Sequence, residues 1–228
     1  MQQNTNKIVS FGSSIMTSHD PSTRKTISNM FGAVVGDIAG STYERHNCKS
    51  EKRIEIFAPK SRCTDDSVLT LATAKYLLQK ESSRDDKEDD VASGYARAYQ
   101  EMGRKYPKAG YGKAFQSWIF APDPQPYGSW GNGSAMRASP IGWVATNLEW
   151  AMQEAKASAE VTHDHPEAIK GAQAVAAAVF LARMGKSKEE IKAFLQNEPF
   201  AYYLERNIKD IRPDYKFDVS CQGSVPEA

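Results

Sequence analysis

The chain has 228 residues, 40% of them hydrophobic, which is enough for one domain with a sizeable core and too little for two full ones. Its 29 Lys and Arg nearly balance 28 Asp and Glu, so net charge points to neither nucleic acid nor an anionic membrane, and the longest apolar run, Ala174 to Ala182, is too short to cross a bilayer. The three cysteines, Cys48, Cys63 and Cys221, are odd in number and widely spaced, which argues against a disulfide framework or a structural zinc site; with no secretory leader pattern either, a reduced, cytoplasmic protein is expected.

In chain order, residues 1–29 are rich in Ser, Thr, Asn and Gln with few apolar positions, so a flexible extension is expected, followed by one domain over residues 30–228. Phe31–Tyr43 reads as a helix whose Gly32, Gly36 and Gly40 fall on one face, a stripe that predicts close approach of another backbone. Thr64 is placed to cap a helix running to about Gln79. Arg84–Asp90 reads as a charged, solvated connection or a helix start, and Val91–Met102 as a helix with Tyr95 and Tyr99 on one face. Pro166–Met184 is the clearest helix, capped by Asp164 or His165 and ended by Gly185. Ser187 and Glu190 form a capping box for the next helix, which Pro199 closes. No segment alternates as a strand would, so the expected fold class is all-α.

Four clusters can carry chemistry, and each has a plainer reading. In Gly36-Asp37-Ile38-Ala39-Gly40-Ser41-Thr42-Tyr43-Glu44 the two acids are seven apart and would share one side of a helix, or they are simply solvated. In Cys63-Thr64-Asp65-Asp66-Ser67 a hydroxyl and adjacent carboxylates are hard oxygen ligands suited to Mg²⁺ or Mn²⁺; the alternative is acids complementing a helix dipole behind a Thr cap. The stretch from Tyr127 to Arg137 contains Gly131-Asn132-Gly133-Ser134, able to turn backbone N–H groups toward an anion; Arg137 can add charge, Trp130 or Tyr127 can stack on a base or ribose, and the alternative is an ordinary glycine-rich connection. In Thr162-His163-Asp164-His165-Pro166, one His can contact a phosphate or ribose while the other starts a helix.

In this order the clusters resemble the ADP-ribosylglycohydrolase family, including the enzymes that release ADP-ribose from nitrogenase reductase. The resemblance runs from about Met30 to the end of the chain, through Gly36-Asp37 to Glu44, Thr64-Asp65-Asp66, Gly131-Asn132-Gly133 to Arg137, and Thr162-His163. It implies a compact orthogonal helical bundle whose cleft holds two magnesium ions, Mn²⁺ being the other candidate. Thr64, Asp65 and Asp66 would be metal ligands, and Glu44 and Asp65 the catalytic carboxylates. Gly131, Asn132, Gly133, Ser134, Met136, Arg137 and His163 would bind the substrate, while Asp37 would be structural. The implied activity is magnesium-dependent hydrolysis of the N- or O-glycosidic bond at the ribose anomeric carbon, releasing ADP-ribose from a modified protein or another acceptor. Carboxylates and a positioned water suit the oxocarbenium character of that reaction.

The family's Gly-Gly-Asp-x-Asp-Thr type segment has no counterpart after Phe200, where Asp210, Asp214 and Asp218 are scattered. Ser224-Val225-Pro226-Glu227 reads as the start of a helix with only Ala228 after it, so the expectation is a chain that lacks its C-terminal segment and is inactive by itself. The competing expectation is a catalytically incomplete ADP-ribose-binding module, or an immunity protein whose partner is an ADP-ribosyltransferase toxin.

Overall fold

A computed structural model describes residues 21–44, 48–50, 55–82 and 91–228, with side chains from Phe31 onward. The helices are α1 (Pro21–Gly40), α2 (Asp65–Ser82), α3 (Val91–Lys105), α4 (Lys113–Phe120), α5 (Ser139–Val144), α6 (Leu148–Glu160), α7 (Pro166–Arg183), α8 (Lys188–Gln196), α9 (Ile208–Ile211) and α10 (Cys221–Ser224). The fold is all-α: the described residues contain no strand, only an isolated antiparallel bridge between Gly131 and Ser220. No described helix is long and apolar enough to cross a membrane.

Alanine decides how the centre packs. On α7, Ala172, Ala174, Ala176 and Ala177 are at most 1% exposed, so this helix is enclosed by α5, α6, α8 and α10. Alanine costs nothing in helix propensity, and its small side chain lets neighbouring backbones approach. The tightest crossing is with α5, where a Cβ on Gly142 would lie 2.5 Å from the carbonyl oxygen of Ala176. A second layer, α2, α3 and α4, closes over Leu69, Tyr95, Tyr99, Trp118 and Ile119. Tyr95 and Tyr99 do share the buried face of α3, their ring centroids 5.8 Å apart. Their hydroxyls find partners across the core: that of Tyr95 donates to Glu154, and that of Tyr99 shares hydrogen bonds with the hydroxyls of Thr73 and Ser158.

Local signals set the later helix ends. His165, rather than Asp164, caps α7 by accepting the Glu167 N–H, and Gly185 follows at φ +83°. The Ser187–Glu190 capping box forms as read.

Four expectations need correction. Helix α1 starts at Pro21, so the last nine positions of the segment 1–29 are helical; Pro at a first helical position has its φ preset. Residues 1–20 and the connection at 84–90 lie outside the described residues. The stripe of Gly32, Gly36 and Gly40 meets no close neighbour among the described residues, none of which places an atom within 4 Å of a Cβ built on any of them. Glu44 is not on α1, which ends at Gly40 in a turn where the Glu44 N–H donates back to the Gly40 carbonyl. Finally, Ser224 does not open a helix. Ser220 does, accepting the Gly223 N–H at the start of α10, and the Glu227 carboxylate pairs with Arg206.

Candidate active site

The site begins with a helix cap supplied from another helix. Asp37 on α1 faces the N-terminus of α2 and accepts from Thr64 N (2.8 Å), Thr64 Oγ1 (2.6 Å), Ser67 N (3.2 Å) and Ser67 Oγ. Free N–H groups at a helix start attract an anion, and here the anion comes from a residue 27 positions earlier. This engagement gives Asp37 a structural part and fixes Asp65 and Asp66 in the first turn.

Those two carboxyls are uncomfortable. Burial, then the neighbouring Asp66, and further off Glu44 and Asp37, push Asp65 up to about 7. Burial, then Asp37 and Glu44, push Asp66 up to about 6, against the hydrogen bond from Thr64. Among the described residues no Lys or Arg forms an ion pair with either one, and no group of three or more Asp, Glu, His or Cys side chains closes around a metal-sized space.

Across the cavity lies the glycine-rich loop, pinned from two directions. The segment before α10 lies against it: Asn132 N donates to Val219 O, Cys221 N donates to Trp130 O, and Asn132 Nδ2 donates to Ser224 Oγ. From the other side, Gly128 N donates to Asp164 Oδ1 and Tyr127 N to Thr162 O. The amides of Gly131 and Asn132 are therefore occupied, by Ser129 Oγ and Val219 O. Those of Gly133 and Ser134 have no hydrogen-bond partner among the described residues.

His163 stands under this loop. A Cβ on Gly133 would lie 2.8 Å from His163 Nε2, so only glycine lets the loop pass so near the ring. Burial, aided by the positive charge of Arg137, lowers His163 to about 3, and the ring is neutral at physiological pH. Arg137 itself is fully buried, its guanidinium carbon 4.0 Å from the Tyr99 ring centroid.

A cavity of about 770 Å³, of the size small ligands occupy, joins these parts. Glu44, Asp65 and Asp66 line it together with Gly131, Asn132, Gly133, Met136, Arg137 and His163. The acids act electrically on one another, while Arg137 acts on His163 and Tyr127, so the cavity has an acidic and a basic part.

The motifs that meet here all fall inside residues 19–222, which match the family model described as ADP-ribosylglycohydrolase. The chain belongs to this family. It is 30% identical to ADP-ribosylhydrolase ARH3 of Mus musculus over 188 residues, covering 70% of this chain and 49% of the relative. The human protein of the same name is 29% identical over 188 residues, 70% of this chain and 50% of the relative, and that of Gallus gallus 31% over 167 residues, 67% and 41%. The chain thus spans about half the length, or less, of these curated relatives.

Within this family member, two of the expected site side chains do other work. Ser134 is fully buried, absent from the cavity wall, and its hydroxyl donates to Ala168 O. Thr64 is 5% exposed, absent from the cavity wall, and donates its hydroxyl proton to Asp37. Other wall residues were not singled out in the sequence. The turn after α3 supplies Gly110 and Gly112, the start of α4 supplies Lys113, and the segment before α10 supplies Phe217 and Val219. Pro107, Gly110 and Gly112 are a legible turn signal, but nothing local shows that this turn reaches Asp65, whose Oδ1 lies 3.1 Å from a Cβ built on Gly110.

Proposed function

We propose that this cavity binds ADP-ribose and serves magnesium-dependent hydrolysis of the glycosidic bond at its anomeric carbon, releasing ADP-ribose from a modified protein or another acceptor. The observation that carries the reading is one cavity lined both by three mutually repelling carboxylates and by a glycine loop with buried His163 and Arg137. ADP-ribose has matching parts, a ribose at one end to be attacked and a diphosphate to be held. The names of the relatives support it, since ADP-ribosylhydrolases act on that group.

The donor set fits a divalent cation. Asp65 and Asp66 offer hard oxygen ligands whose ionisation is held back by burial and by their acidic neighbours, and a bound cation relieves that repulsion. When bound, Mg²⁺ or Mn²⁺ lowers the pKa of water and orients hydroxyl groups. Asp65 and Asp66 would hold it, with Asp37 keeping both in place through the α2 cap. Glu44, the exposed carboxylate of the three, takes the proton of the attacking water or orients the reacting ribose. The free N–H group of Gly133, on the cavity wall, faces the diphosphate, and His163 contacts it from below. Holding the diphosphate positions the anomeric carbon, which raises the rate through orientation.

Calorimetric titration of the chain with ADP-ribose, with and without MgCl₂, tests binding; release of ADP-ribose from a modified peptide tests turnover. Magnesium-dependent binding is expected, and magnesium-dependent release carries the hydrolase reading. Binding without turnover favours the incomplete binding module, and no binding at millimolar ADP-ribose removes both readings.

A further inference from the structure

Two buried residues behind His163 decide which of its ring nitrogens carries the proton. Arg137 Nη2 donates to Thr162 Oγ1 at 2.9 Å and to Ser158 O at 2.8 Å. A guanidinium has donors only, so the Thr162 oxygen must accept from it. Thr162 is fully buried, and His163 Nδ1, 2.6 Å away, is the other partner of its hydroxyl among the described residues. The single hydroxyl proton therefore points at Nδ1, which accepts it. Were Nδ1 the protonated atom, the Thr162 proton would be buried without an acceptor, which is costly. The remaining ring proton belongs on Nε2, the atom facing Gly133 and Gly131, 2.8 Å and 3.6 Å from a Cβ built on each.

We infer that Arg137 and Thr162 form a relay that fixes His163 as the Nε2–H tautomer, making the ring a hydrogen-bond donor aimed at an anionic oxygen beside the glycine loop. The identity of that oxygen, a diphosphate oxygen of ADP-ribose, rests on the functional reading above; the tautomer does not. The arrangement gives the buried Arg137 charge a task within the fold: it sets the direction of the hydrogen bonds and, after burial, helps to hold the ring neutral. Thr162 is a positioning residue in this scheme.

Two-bond ¹⁵N–¹H correlation spectra of the histidine-labelled chain, with the His163 signals assigned by their loss in His163→Asn, read the tautomer directly. Wild type and Thr162→Ser are expected to show Nε2–H alone. Thr162→Val, which keeps the shape and removes the hydroxyl, is expected to populate Nδ1–H and to weaken ADP-ribose binding about tenfold, the size of one hydrogen bond to a charged group. Nδ1–H in the wild type, or an unchanged tautomer in Thr162→Val, overturns the relay. Should Thr162→Val fail to fold by circular dichroism, the wild-type spectrum still decides. If the tautomers follow expectation but wild type does not bind ADP-ribose, the relay stands and the functional reading falls.

Discussion

Removing Asp37 tests whether the acidic site is built on a borrowed helix cap. Asp37→Ala deletes the acceptor of four donors, the N–H and hydroxyl of both Thr64 and Ser67. A helix N-cap replaced by Ala costs about 1 kcal/mol, and a single hydrogen bond to a charged group contributes about 1.5–3 kcal/mol. The four cannot be summed, because they share one carboxylate, but Thr64 and Ser67 are 5% and 2% exposed and water cannot replace the lost partner. Against this, the substitution removes a negative charge that raises Asp66 and Asp65, an offset that favours the variant. The balance is a loss of about 3 kcal/mol, and at about 2–4 °C per kcal/mol for a chain of this size the midpoint falls by roughly 6–12 °C. Asp37→Asn keeps one acceptor oxygen but aims an NH₂ at the remaining donors, so it is expected to fall in between. Thermal unfolding at 222 nm gives the midpoint, and hydrogen exchange at Ser67 and Val68 shows whether the first turn of α2 frays. A drop of under about 2 °C with unchanged exchange would refute the cap.

Asp65 and Asp66 have folded values raised to about 7 and about 6, so the unfolded chain ionises first; stability from this pair is fully present below about pH 4, falls as pH rises to about 7, and regains part of the loss in millimolar Mg²⁺. Urea midpoints from pH 4 to 8 check this, and a pH-independent midpoint difference between wild type and Asp65→Asn would count against it. At pH 8 without magnesium, Asp65→Asn is expected to be more stable than wild type by about 1–2 kcal/mol while losing magnesium-dependent ADP-ribose binding. Glu44→Gln should leave ADP-ribose affinity within about threefold and lower the rate of release by about 10²–10⁴; wild-type turnover would make Glu44 a bystander. Gly133→Ala puts a methyl 2.8 Å from His163 Nε2, and a tenfold or greater loss of ADP-ribose affinity in calorimetry is expected, together with a fall in stability of about 1–3 kcal/mol as the loop or the buried ring gives way.

By itself, the sequence determined what depends on neighbours in the chain. Pro166 and Gly185 bound α7, Ser187 and Glu190 cap α8, and the spacing of Tyr95 and Tyr99 put both on the inner face of α3, because capping and helical periodicity act within one or two turns. Four ordered motifs carried the family for the same reason: each is contiguous. Tertiary structure decided the rest. Glycine marks a permissive position without saying what approaches it, so a close contact fell at Gly142 while the stripe on α1 meets none among the described residues. Arg137 reads as a charge in a glycine loop, and only packing reveals that its Nη2 is held by Ser158 and Thr162, 21 and 25 residues away, while it still lines the cavity. Asp37 reads as one acid among many until α1 meets α2, and Ser134 as a ligand contact until its hydroxyl finds Ala168 O, 34 residues on. The loop itself is held by Val219 and Cys221, about 90 residues later. A buried polar group takes whichever partner the packing brings within about 3 Å, and that choice is made by contacts between distant segments, which no local pattern encodes.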